Sequence, residues 1–302
     1  MFKSKNSMSR ALVRRETTAG YLFLLPSLFF FVTFVLYPMF LCIYTSFFDS
    51  NMGKNAVDVF VGPGNYKELF RDKLFLGALK NTVVIVVVAV PTVCAFSLWV
   101  ATAIYDMKPA LTSAFRCIFY LPVVTGSVAV TVVWKWMYNS RYGVFNYLFK
   151  SLGIIDQNIN WLGDARFALW CIILILFTTS VGQPIVLYVS ALGNVDHSLV
   201  EAAQVDGANR RQVFWKIKWA QIMPTTLYIL IITTINSFQC FALIQLLTSG
   251  GPTHSTDTIM YYIYYTAFKL YRYGYGNAMG VVLMIIIAVL SAVQFKLGQQ
   301  SD

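Results

Sequence analysis

Six uncharged apolar runs divide the chain, at residues 21–48, 81–105, 117–134, 167–195, 219–247 and 274–295. A helix that crosses a bilayer needs about 20 mostly apolar residues. Five of the runs meet that length, and the third reaches it when Phe115, Lys135 and Trp136 extend it. The pattern predicts an all-α polytopic membrane protein with about six transmembrane helices. The first run, of 28 residues, follows a basic stretch but far exceeds the roughly 7–15 residues of a signal-peptide core. It is expected to be a retained first helix. The organisation that follows is a tail over 1–19, a membrane domain over 20–297 and a short tail over 298–302.

Six spans put both termini on one side. Lys3, Lys5, Arg10, Arg14 and Arg15 favour a cytoplasmic N-terminus under the positive-inside rule. External segments are then expected near 49–80, 138–166 and 248–273, and cytoplasmic ones near 106–115 and 196–218. Turn residues support the divisions, with Gly62-Pro63-Gly64-Asn65 in the first external segment and Gly250-Gly251-Pro252 in the last. The aromatic stretch from Ile259 to Phe268 reads as a short helix at the membrane interface, where such rings collect.

Composition agrees with the pattern. Hydrophobic residues make up 58% of the chain and charged ones 12%, against about 25% charged in soluble domains. The net charge of +10 lies in short flanks between apolar runs, where it faces solvent and lipid headgroups; nucleic acid is not an expected partner. The five cysteines all fall inside apolar runs and form no CxxC pair, so neither zinc nor a disulfide framework is signalled. Spans two, four, five and six hold no ionisable residue other than cysteine and tyrosine, which leaves no proton relay of Asp, Glu, Lys, Arg or His. Arg116 and Lys135 sit at the ends of span three, where snorkelling accounts for them. There is no phosphate-cradling GxxxxGK[ST] loop, no HExxH and no GxSxG. Any uphill transport must draw its energy from a partner chain, and an enzyme is not expected.

Between spans four and five, Ser198 and Glu201 form an S-x-x-E pattern that marks a helix N-terminus. Gly207 is suited to end that short helix. Ala208 to Lys218 reads as a second helix with an apolar stripe of Val213, Phe214 and Ile217. Within the spans, polar side chains cluster on two helices. Thr233, Asn236 and Ser237 share a face of span five, with Gln239 close by. Thr179 and Gln183 share a face of span four. Neutral hydroxyls and amides suit an uncharged polyol such as a sugar. Hydrogen bonding between helices is the alternative use of such residues.

Glu201-Ala202-Ala203, followed by Asp206-Gly207-Ala208 and then Phe214, Ile217 and Pro224, resembles the EAA loop of binding-protein-dependent ABC importer permeases. The segment Leu243 to Pro252, LIQLLTSGGP, is similar to the carbohydrate branch, in particular the maltose-type and glycerol-phosphate-type first permease subunits. The opening YLFLLPSLFFF, VGPGNYKELF and NINWLGD carry the likeness across most of the chain. Trp219-Ala220 departs from the usual Leu-Pro of the motif, and Asp196 stands where a Pro is common.

The resemblance implies a permease subunit that moves a di- or oligosaccharide by alternating access. It implies a second related permease, two ATP-binding subunits and an extracytoplasmic solute-binding protein as partners, in a prokaryotic inner membrane. ATP and Mg²⁺ would be held by the ATPase, with no cofactor on this chain. Loop 196–218 would be the coupling loop and cytoplasmic. Glu201 would be its charged contact to the ATPase, Ala202 and Ala203 would allow close packing, and Asp206, Gly207 and Ala208 would form the turn. Positions near Thr233, Asn236 and Ser237 align with the family's sugar-contacting stretch. A permease for another solute, and a channel or carrier independent of an ATPase, are the competing readings.

Overall fold

The computed structural model describes residues 3–50 and 58–299, with side chains from Glu16 to Gly298. The basic side chains of the N-terminal tail, residues 51–57 of the first long loop and the C-terminal tail from residue 300 lie outside the described residues. Helix α1 (Lys3–Phe31) continues into α2 (Tyr37–Thr45) through a π turn at Val32–Leu36. Pro38 gives a reason for that turn, since it lacks an N–H and its ring crowds the carbonyl four residues back. A two-residue strand β1 (Phe48–Asp49) pairs antiparallel with β2 (Val59–Phe60), and α3 (Gly64–Leu69) follows. Buried Asn65 ties this corner together by donating to the carbonyls of Ser46 at 2.8 Å and Phe48 at 2.9 Å.

The long helix α4 (Lys73–Ile104) is the spine of the bundle. Ile85, Ala89, Val93, Ser97 and Ala101 recur every four residues and are all buried, so one ridge of α4 is closed to lipid. Residues small enough for close approach dominate it, as membrane bundles require. Against it pack α8 (Ala168–Ser180), α9 (Gly182–Gly193) and α12 (Trp219–Phe238). Span four is thus two helices, broken at Val181, whose carbonyl accepts from Ser97 Oγ at 3.2 Å. Span five also breaks, at Gln239–Phe241, before α13 (Ala242–Leu247). The last span is α15 (Tyr273–Gln299).

The third run does not form one straight helix. It forms α5 (Pro109–Val124) and α6 (Ser127–Met137), bent by 95°. Thr125 has an extended backbone with ψ 127°, and Gly126 opens α6. A β-branched residue followed by glycine, three residues after Pro122, is poor helix sequence. The pair still joins the two ends of the bundle. Thr112 Oγ donates to the carbonyl of Ile104 at 2.9 Å, whereas Tyr138 packs on Ile172 and Ile244 at the other end. Among the described residues five helical segments are long and apolar enough to cross a membrane, and the bent pair makes six if it counts as one span.

The loops contain α7 (Val144–Ser151), α10 (His197–Val205), α11 (Arg210–Val213) and α14 (Ile259–Tyr264). The aromatic stretch, expected at the membrane interface, packs largely on protein. Ile259, Tyr261 and Tyr262 are buried, while Met260 and Phe268 are exposed. The hydroxyls of Tyr262 and Tyr275 both donate to Asp72 Oδ2, at 2.8 and 2.9 Å. That carboxylate at the head of α4 is what draws the aromatic helix inward.

Candidate functional site

Four of the six polar residues singled out within the spans meet in one cleft of about 170 Å³. Thr179, Ser180 and Gln183 come from the broken span four, Thr233 and Asn236 come from α12, and Val123 of α5 closes one side. Thr179 Oγ donates back to the carbonyl of Ile175 at 3.0 Å, which leaves its oxygen as an acceptor. The amides of Gln183 and Asn236 are exposed and have no hydrogen bond to another described residue. The other two expected residues lie elsewhere. Ser237 is buried outside the cleft, and Gln239 is exposed at the end of α12, where the helix breaks. Thr234, next to the cleft, serves packing: its Oγ donates to the carbonyl of Leu230 and accepts from Gln294 of α15 at 2.9 Å. The polar cluster of span five therefore divides into a cleft-facing part and an interhelical part.

Two larger clefts adjoin this one. The first, about 290 Å³, shares Thr179 and lies against Val130 and Trp134 at the bend of α5 and α6. The second, about 450 Å³, shares Gln183 and Leu187 and is lined by Arg116 and Tyr120. Gly182 accounts for this arrangement. A Cβ there would overlap the carbonyl oxygen of Phe119 and lie 2.8 Å from Val123, so only glycine lets α5 lie directly on α9. Arg116, read above as a snorkelling residue at a span end, lies within α5 and lines this second cleft, and its Nε is buried without an acceptor. The spacing of Arg116, Tyr120 and Val123 at i, i+4, i+7 signals their shared face, but the span-end reading conceals it.

Loop 196–218 is built differently from the expectation at its start and end. Asp196, not Ser198, caps α10: its carboxylate accepts from the backbone N–H of Ser198 at 2.9 Å and from its hydroxyl at 2.7 Å. A carboxylate is the stronger acceptor and opposes the positive end of the helix. The Ser198 bonds hold its pKa below the usual carboxylate range. The Ser198–Glu201 box does not form, and exposed Glu201 makes no bond or ion pair with another described residue. A capping box does form one helix later, where Asn209 Oδ1 accepts from Gln212 N–H at 2.9 Å and Gln212 Oε1 accepts from Asn209 N–H at 2.8 Å.

Between the two caps, Gly207 has φ +84°. Its N–H donates to the carbonyl of Gln204 at 3.0 Å, and the N–H of Ala208 donates to that of Ala203 at 2.9 Å. This is the Schellman geometry that a left-handed glycine makes possible. Glu201, Ala202, Asp206 and Gly207 are exposed, and Ala203 and Ala208 are half-buried. Val205 is 88% exposed, with Leu199 and Trp215 also open. The second loop helix does not stop at Lys218. It passes through a π turn at Phe214–Lys218 and continues as α12. Two further contacts seat the loop. Gln221 Oε1 accepts from the Asp196 N–H at 3.1 Å, and Lys218 is paired with Tyr105 of α4, its ammonium 4.3 Å from the ring centre.

A family model for the binding-protein-dependent transport system inner membrane component matches residues 70–299. The chain belongs to that family. It is a multi-pass transport subunit of the inner membrane and not an enzyme, and its partners include a binding protein and ATP-hydrolysing subunits. The permease is 32% identical over 288 residues to the probable ABC transporter permease protein YesP of Bacillus subtilis, covering 94% of this chain and 91% of that one. It is likewise 32% identical to the lactose transport system permease protein LacF of Rhizobium radiobacter, covering 94% and 95%. Its fold matches a permease chain in the crystal structure of a bacterial alginate ABC transporter with an alginate pentasaccharide-bound periplasmic protein. The TM-score is 0.80 at 24% identity, over 93% of each chain.

Proposed function

We propose that this permease forms half of the translocation path for a di- or oligosaccharide, paired with a second permease. Two ATPase subunits, which hold ATP and Mg²⁺, act on it through α10. In this reading both termini and loop 196–218 are cytoplasmic, and the 248–273 loop faces the binding protein. One observation carries the reading. An exposed helix with an unpaired Glu201 is seated on the same continuous helix whose far end presents Thr233 and Asn236 to the cleft. From Arg210 to Asn236 that lever is about 39 Å long at 1.5 Å per residue. A push on α10 therefore reaches the polar wall along one unbroken run of helix, through the π turn at Phe214–Lys218 and past Pro224, before the break at Gln239. Hydroxyls and amides there suit the hydroxyls of a sugar, and a relative named for lactose supports the same class.

The test joins topology to energy source. In intact cells, a cysteine at Asn209 should be protected from an impermeant thiol reagent and one at exposed Thr253 labelled, on a background without native cysteines. In proteoliposomes holding the whole complex, sugar uptake should require ATP. Labelling of Asn209 from outside, or uptake by this chain alone without an ATPase, would overturn the proposal.

A further inference from the structure

We infer that the saccharide carried by this permease bears a carboxylate, which is received at Arg116; the inference rests on the reading of α9 and α12 as the substrate path. Arg116 stands about 10 Å inside α5 from its Pro109 end, at 1.5 Å per residue. It shares a face with Tyr120 and Val123, and close packing at Gly182 turns that face onto α9. Arg116, Tyr120 and Gln183 consequently line one cleft of about 450 Å³. Gln183 and Leu187 also belong to the cleft of Thr179, Thr233 and Asn236. Arg116 thus lines a cleft that is continuous with the path through Gln183 and Leu187.

Among the described residues no counter-charge is provided for it. Its Nε is buried without an acceptor. The ion pairs among the described residues use Asp164, Asp257 and Glu68, and none of them involves Arg116. No Asp or Glu lines either cleft. A guanidinium stays charged at any physiological pH, and an N–H buried without an acceptor, as the Arg116 Nε is, costs free energy. An arginine inside a candidate span helix, with an unpaired N–H facing a polar cleft, therefore points to a ligand that completes it. Arginine's planar fork matches a carboxylate through two parallel hydrogen bonds. Tyr120 lines the same cleft and supplies an aromatic ring for a sugar ring to stack on, and the free amide of Gln183 can bond hydroxyls. Carboxylate, pyranose ring and hydroxyls in that order describe a uronic acid residue. A single cation balances one carboxylate; a phosphate dianion would call for more positive charge than the wall carries.

The experiment uses the complete complex of permeases, ATPases and binding protein. It is reconstituted in phosphatidylcholine vesicles, with and without phosphatidylglycerol. The radiolabelled probes are digalacturonate, its dimethyl ester, dimannuronate, lactose and maltose. At least one diuronate should be taken up with ATP. Arg116→Gln should lower that uptake roughly ten- to a hundredfold, the range for lost hydrogen bonds to a charged group. Arg116→Lys should restore part of it, the complex should copurify intact, and the dimethyl ester should be a poor substrate. Uptake of lactose or maltose alone, unaffected by Arg116→Gln, would overturn the inference. Asn236→Leu in the same vesicles then separates the two readings: if it lowers neutral-sugar uptake, the path stands and only the carboxylate falls. If Asn236→Leu is also silent, the path reading falls as well. Uptake of no diuronate overturns the inference. So does loss of copurification in Arg116→Gln, which would make the residue a subunit contact. So does an Arg116 effect seen only with phosphatidylglycerol, which would make it a lipid-headgroup site.

Discussion

At the loop end of α12 every helix terminus is capped, by Asp196 before α10, by Gly207 after it and by Asn209 before α11. At the cleft end the backbone is interrupted instead, at Val181 in the neighbouring span and at Gln239–Phe241 in its own. The side chains show the reverse. Those of the cleft pack into helices or carry amides at its open wall, whereas those of the loop leave Glu201 and Val205 wholly unoccupied. The contrast assigns stiffness to the region that receives force and breaks to the region that must change shape around a solute. A rigid loop transmits; a segmented cleft yields.

The comparison is broken most sharply at Glu201. Because Asp196 caps α10, Glu201→Gln removes no hydrogen bond from this chain, and its Tm should not change. If Glu201 docks the ATPase, its loss leaves a partner charge unpaired at about 2–5 kcal/mol, so uptake should collapse while the permease stays folded. Normal coupled uptake in Glu201→Gln would return α10 to an ordinary connection. Next in size is Gly207→Val. A Cβ there meets no neighbour, so the cost is the left-handed backbone alone, about 1–2 kcal/mol. Uptake should fall severalfold and Gly207→Asn should recover most of it. Equal uptake in both variants would show that the turn need not be stiff.

On the cleft side, Asn236→Leu should lower uptake by about tenfold, the worth of one hydrogen bond of about 1–1.5 kcal/mol, with assembly retained. Failure of the complex to assemble would instead give Asn236 to helix packing. The smallest effect is expected outside both regions, at buried Asp257. Burial pushes its pKa up, only partly opposed by the His254 ring 2.7 Å away. A carboxyl raised in the folded state loses stability as pH climbs from its unfolded value through its folded one. The 248–258 loop should therefore weaken over that interval, and Asp257→Asn should remove the dependence. Thermal unfolding of both forms across pH 4–7 checks it, the range starting near the unfolded carboxyl pKa of about 4; parallel profiles would refute it.

Much of this molecule is legible from apolar run length and side-chain spacing. Run length alone marks the five long apolar helices and the bent pair, and helical spacing marks the Thr179–Gln183 and Thr233–Asn236 pairs that meet in the cleft. Gly207 announces its left-handed turn, since few other residues hold one cheaply. The 95° bend is not legible in the sequence because Thr125-Gly126 carries no charge that would interrupt the apolar run. The cap at Asp196 was missed because two overlapping cap patterns stand two residues apart, and only the tertiary seat of Asp196 on Gln221 separates them. Arg116 and the buried tyrosines of α14 were read by composition as interfacial. Their packing against the bundle depends on Gly182 and Asp72, which lie 66 and 190 residues away in sequence respectively from Arg116 and Tyr262.

The π turn at Phe214–Lys218 sets a phase. An α-helix advances about 100° per residue, and a π turn accommodates one residue more than an α turn would. Arg210–Val213 is thereby rotated about the axis of α12 relative to Thr233 and Asn236, without any change in the helix's direction. Refolding the same five residues as plain α-helix would turn the outer drive surface by that angle with both surfaces intact, whereas deleting one residue there would leave the phase nearly unchanged. The five residues act as the adjustable joint of a camshaft, in which timing between two lobes is altered by a single tooth.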